Sequence, residues 1–318
     1  MKNNRMENEP TEHMTRQLPP RTQKRAHVLL GTLGIAIMLT LALMYAPDAE
    51  RRATDPLTLE EQVIPSQGVV LPVSWGDLGA RLVRAGAIDS SQLKALFRRE
   101  EGFDPEYEAL LLGVHEGNVR ITGENAGYLL HLFWALGLAN TNEILEKGEM
   151  ADPKYGGAGN FASTGGWTIA EGSAMDHYSR HTLIKLTQKQ QALVDTVSRG
   201  IYRPCCGNSA HFPDCNHGMA MLGLLERMAS QGASEQDMWK AALTVNSYWF
   251  PDTYLTIAAY LKGRGVAWKD ANPKDLLGSD YSSAKGYARI AAAVADREPQ
   301  RGGGSCAIGA RIADGLAG

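Results

Sequence analysis

Several things are scarce or missing in this chain. Four cysteines stand among 318 residues, and the formal net charge is only −3. So near-neutral a balance leaves no whole-chain basic footprint, and nucleic acid is excluded as an expected partner. No repeat of 20–50 residues recurs, which excludes a solenoid or propeller. No C-x2-C pair occurs, so neither the usual zinc-finger spacing nor a dithiol oxidoreductase motif is present. No cysteine-hydrolase signature surrounds any cysteine. The Gly-rich string GGAGNFASTGG at 156–166 lacks the Gly-Lys-Ser/Thr ending of a phosphate loop and follows no convincing strand. It reads as a flexible connection.

What is there begins with an ordinary globular composition, 44% hydrophobic and 21% charged, which argues against global disorder. The average hides a division. Residues 1–27 carry a net +3 and the remainder a net −6. Between them Val28–Ala46 runs 19 residues without a charge. That length nearly spans a bilayer core, and the basic residues Arg21, Lys24 and Arg25 precede it. The run predicts an uncleaved signal-anchor helix in contact with membrane lipid. The cytoplasmic or plasma membrane is the expected location, with a cytoplasmic tail at 1–27 and everything after 47 outside. Pro47 and Met44 sit badly for signal cleavage, and no cysteine near the end of the run supports lipidation.

Residues 47–71 carry prolines among mixed charges and read as a linker. Residues 72–298 read as a helical extracytoplasmic domain and 299–318 as a loose tail. The fold class expected is therefore mainly α, a single transmembrane helix followed by a multi-helix domain. Helical spacing predicts elements over 74–85, 90–97, 104–114, 125–138 and 142–147. Capping boxes start at Ser173, Thr187 and Ser234, where the Ser or Thr accepts from a first-turn amide and the acidic or amide side chain reaches back. Further helices are expected from Asn216, Pro251 and Ser282. Val119–Ile121 is too short to establish a sheet.

The least ordinary feature is RPCCGNSAHFPDCNHG. It holds Cys205, Cys206 and Cys215 with His211 and His217, and His177 and His181 lie upstream four apart. Two imidazoles at that spacing project from one helix face. Cys215 and His217 stand where a helix begins, and a helix N-terminus favours the thiolate. Thiolates and imidazoles select zinc or copper over magnesium or calcium. The expected ligand set is Cys205, Cys206, Cys215, His217, His177 and His181, with Zn or Cu as the ion. Met175, Met219 and Met221 are further soft candidates but are more often core. Two other readings stand beside this one. The even cysteine count fits structural disulfides in an envelope interaction domain without metal. Cys215 with a nearby histidine fits a thiol- or metal-dependent envelope enzyme. Arg203, Asp214, Asp176 and Glu124 are the other polar groups weighed around the site.

Overall fold

In the computed structural model, residues 57–296 are described. The chain opens with α1 (Leu59–Val63) and strand β1 (Val69–Gly76). Three short helices follow, α2 (Leu78–Arg84), α3 (Ser90–Phe97) and α4 (Pro105–Leu112), and then strand β2 (His115–Ile121). Asp89 and Asp104 cap α3 and α4 by accepting from first-turn amides. Next come α5 (Ala126–Ala139), α6 (Glu143–Lys147), α7 (Ala162–Gly165) and α8 (Ala174–His177). The second half holds α9 (Gln188–Arg199), α10 (Asn216–Ser230), α11 (Glu235–Trp249) and α12 (Pro251–Lys262). It closes with α13 (Pro273–Leu277), α14 (Ser279–Ser282) and α15 (Ala284–Ala295).

The helix starts follow the side-chain chemistry. Ser173 and Thr187 form reciprocal capping boxes with Asp176 and Gln190. Ser234 accepts from the Asp237 amide. At the centre, α5 and α10 pack along their length. Their contact is backbone on backbone. A Cβ on Gly137 would strike the Met219 carbonyl, and one on Gly223 would strike the Phe133 carbonyl. Each glycine lets the other helix in, and Leu132, Leu136, Leu222 and Leu225 are fully buried around the crossing.

β1 and β2 pair antiparallel, with Val69 opposite Ile121 and Gly76 opposite His115, and with two register shifts between. Leu71, Val73 and Trp75 alternate inward on β1. The compact body therefore starts before Pro72. Residues 57–71, read from sequence as linker, carry a helix and the first three residues of a strand, and Val63 and Leu71 are buried.

The membrane-anchored architecture needs correction. What the structure carries is a mainly helical multi-helix domain, and among the described residues no helix is long and apolar enough to cross a membrane. α5, the most apolar, has 14 residues, where a span needs about 20. The run at 28–46 and the tails at 1–27 and 299–318 lie outside the described residues. The anchor, the lipid partner and the inside–outside topology are thus without support, and the extracytoplasmic assignment that depended on them falls with them.

Candidate metal centre

The site lies on the connection from α9 to α10. Residues 201–215 form a loop that backbone bonds hold at both edges. The Tyr202 amide donates to the Leu277 carbonyl at 2.8 Å, and the Ala210 amide to Ile201 at 2.7 Å. The Cys206 carbonyl accepts from the Ala284 amide at 2.9 Å. Cys215 is the N-cap residue of α10, with no side-chain cap bond, so its thiol is free to turn toward the loop. His217 follows in the first turn.

Three thiols converge there. Cys205 and Cys215 lie with their Sγ atoms 3.7 Å apart, and Cys206 interacts with both. The Sγ atoms of Cys205 and Cys215 and a ring nitrogen of His217 all fall within 4.8 Å of one another. So do Cys206, Asp214 and Cys215. These Cys/His/Asp clusters can chelate a metal ion. Cys205 is exposed and the other two thiols are partly covered. The His217 ring packs on Phe250, with centroids 4.3 Å apart, and on the edge of Trp249. Its Nε2 is buried and finds no hydrogen-bond partner among the described residues.

Electrostatics favour one thiolate, at Cys206, beside a neutral imidazole, while Cys215 like Cys205 is held up. Hydrogen bonds from Cys205 and Cys215 hold the Cys206 thiol far below the ordinary range, and Arg203 adds to the effect. The same sharing with Cys206, together with burial, pushes Cys205 up. Burial first, and then Arg203, push His217 down to about 3. Its lone pair is therefore available across the physiological range.

Arg203 is the group that sequence reasoning undervalued. Its guanidinium is fully buried. Nη2 donates to Cys206 Sγ at 3.1 Å, to the Phe212 carbonyl at 3.2 Å and to Asp214 Oδ1 at 2.6 Å. Gly218 makes the room, since a Cβ there would sit 2.7 Å from the guanidinium carbon. The cation thus lies at the positive end of the α10 dipole, an arrangement that costs energy unless an anion faces it. The Asp214 carboxylate and the Cys206 sulfur supply that anion. The Gly-rich connection also belongs to the site's surroundings. Ser163 and Thr164 are buried, and the Ser163 amide donates to the Asp214 carbonyl at 3.1 Å.

Of the six ligands expected, the structure brings Cys205, Cys215 and His217 into one group and Cys206 and Cys215, with Asp214, into a second that shares the Cys215 sulfur. Neither convergent group among the described residues contains His177 or His181, whose rings meet each other instead. His211 is turned away, its Nε2 on Asp195 Oδ1 at 2.8 Å. Met219 and Met221 are fully buried core residues, and Cys306 lies outside the described residues. Comparison with protein-family models, curated proteins and solved structures gives no match.

Proposed function

We propose that this domain binds one thiophilic d10 ion, Zn2+ or Cu(I), through Cys205, Cys206, Cys215 and His217. One observation carries the reading. Two ligands about 2.3 Å from a tetrahedral zinc stand roughly 3.8 Å apart, and Cys205 and Cys215 already stand at 3.7 Å. A ring nitrogen of His217 within 4.8 Å of both sulfurs completes a soft donor set. Three thiolates around Zn2+ leave a net negative centre, which Arg203 and the α10 N-terminus offset. The exposed Cys205 makes its side of the site the natural entry for metal.

The test is direct. Full-length protein, reduced and loaded without oxygen, should keep one zinc or copper per chain through desalting. Co2+ in its place should show thiolate-to-metal charge-transfer absorption. Cys215→Ser and His217→Ala should each weaken binding by at least about tenfold. A reduced chain that retains no metal overturns the reading. The same 3.7 Å separation supports a second one, a Cys205–Cys215 disulfide in a domain without metal. That predicts loss of two titratable thiols in air and indifference to zinc.

A further inference from the structure

Outside the thiol loop, the arrangement that stands out is the meeting of His177 and His181. Four residues apart, they would share a face had the helix continued. It does not, for α8 ends at His177. Ser179 then takes a left-handed φ of 52°, the one non-glycine with positive φ among the described residues. Such a conformation is strained for a residue with a side chain and persists only where the surroundings impose it. Here they do. The Ser179 hydroxyl accepts from the Asn142 amide at 3.1 Å and donates to Glu146, and the Ser179 amide donates to the Leu138 carbonyl at 2.8 Å. The His181 amide donates to the Ala139 carbonyl at 2.9 Å. The turn brings His181 back over His177, rings stacked with centroids 5.2 Å apart and His177 Nδ1 2.9 Å from His181 Nε2.

The other ring nitrogen settles what His177 offers. Its Nε2 lies 2.8 Å from the Glu171 carbonyl, an acceptor only, so Nε2 carries the proton. Nδ1 is then a bare lone pair on a ring that is only 7% exposed. A ligating histidine is ordinarily fixed in this way, by a backbone carbonyl on its far nitrogen. Two nitrogens each about 2.05 Å from one ion stand roughly 2.9 Å apart at a right angle and 3.3 Å apart at the tetrahedral angle. The observed pair falls at the edge of that range. We propose that His177 Nδ1 and His181 Nε2 form a second site, separate from the thiol loop, for a borderline divalent cation such as Zn2+ or Ni2+. When the ion enters, the His181 proton that now bridges the rings moves to Nδ1 of the same ring, so both imidazoles stay neutral. Water fills the remaining positions, and the Glu171 carboxylate stands on the same side of Gly86 as the His177 ring.

Titrating the reduced full-length chain with Zn2+ against a chromophoric chelator tests this. Two equivalents should bind, one tight and one weaker. His181→Ala should weaken only the second, by at least about tenfold, whereas Cys215→Ser weakens only the first. On the unmutated chain, the Cε1–H resonances of His177 and His181 should shift or broaden during addition of the second equivalent, a readout that needs no variant to fold. A chain that binds one equivalent, lost in His181→Ala and kept in Cys215→Ser, supports the imidazole site and sinks the thiolate one. Undisturbed His177 and His181 resonances at two equivalents, or an unchanged second affinity in His181→Ala, overturns the proposal.

Discussion

Arg203 is a buried cation whose neighbours are a thiol, a carboxylate and a helix N-terminus. Replacing it with methionine keeps the volume but leaves Asp214 with only Asn208, through a 2.7 Å bond, to answer its charge. Removing one member of a buried pair costs about 3–5 kcal/mol. Asp214 keeps one-fifth exposure, so the lower end, about 3 kcal/mol, is expected from denaturant unfolding of Arg203→Met. Cys206 should also react more slowly with an alkylating agent at low pH, because a part of what favours its thiolate is gone while the bonds from Cys205 and Cys215 remain. A variant that unfolds like the parent would mean that the guanidinium is not balancing this loop.

Glu226 poses the opposite case. It is fully buried on α10 and accepts from the Asn140 amide nitrogen at 2.9 Å and from Asn142 by a shorter bond. Burial raises its carboxyl well above the ordinary range in spite of those two donors. The folded state then holds a proton that the unfolded chain releases. Stability is fully present below the unfolded value near 4.5 and falls as pH rises toward the folded one. Glu226→Gln removes that dependence and keeps the shape. Its denaturation midpoint, compared with the parent at pH 5 and at pH 8, should gain on the parent as pH rises. A constant difference between the two would show that the carboxyl is ionised when folded.

At the scale of elements, the pairing of α5 with α10 connects the core to the site. Gly137→Ala or Gly223→Ala must push two backbones apart, since neither carbonyl in the way can rotate aside as a side chain would. Overpacking of this kind costs typically about 1–3 kcal/mol. Because Cys215 and His217 ride on the first turn of α10, zinc affinity should fall together with the unfolding midpoint. Stability lost with affinity intact would separate the helix crossing from the site. In the sequence Gly137 falls at the end of the helix that spacing predicts over 125–138, where it reads as a helix end. A glycine that ends a helix and one that admits another backbone look alike until the partner is known.

The capped helices were legible because Ser, Thr, Asp and Asn reveal themselves within four residues. β1 was not. Pro72 takes an outward position in its alternation and argues against a strand, and the pairing that tolerates this proline comes from His115–Ile121, more than forty residues away. The ligands divided in the same way. Cys205, Cys206, Cys215 and His217 are close in sequence and close in space. His177 and His181 are close to each other, but no local rule says which of two neighbouring clusters an imidazole joins. Arg203 stood beside the cysteines and carried little weight as a single arginine. Its importance comes from burial and from Gly218, both tertiary facts.

For the whole molecule, metal and fold are linked by mass action. An ion that binds only the folded chain adds about 2.7 kcal/mol at a free concentration one hundred times its Kd. In a domain of this size each kcal/mol moves Tm by about 2–4 °C. Zinc should therefore raise the melting temperature of the reduced chain by roughly 5–10 °C, and a strong chelator should return it. The disulfide alternative predicts the reverse pattern. Closing Cys205 to Cys215 would stabilise the oxidised chain by constraining its unfolded state, reductant would lower Tm, and zinc would add no more than the weaker imidazole site supplies in either form. Cys215→Ser separates the two again, because it cuts the zinc-dependent rise to the part that the weaker imidazole site supplies under the first scheme and abolishes the reductant-dependent fall under the second. Melting curves of parent and variant, each reduced and oxidised, with zinc and with chelator, decide between them. A reduced parent that melts at the same temperature with zinc as with chelator would leave the thiol loop without the role assigned to it, however well its sulfur atoms are spaced.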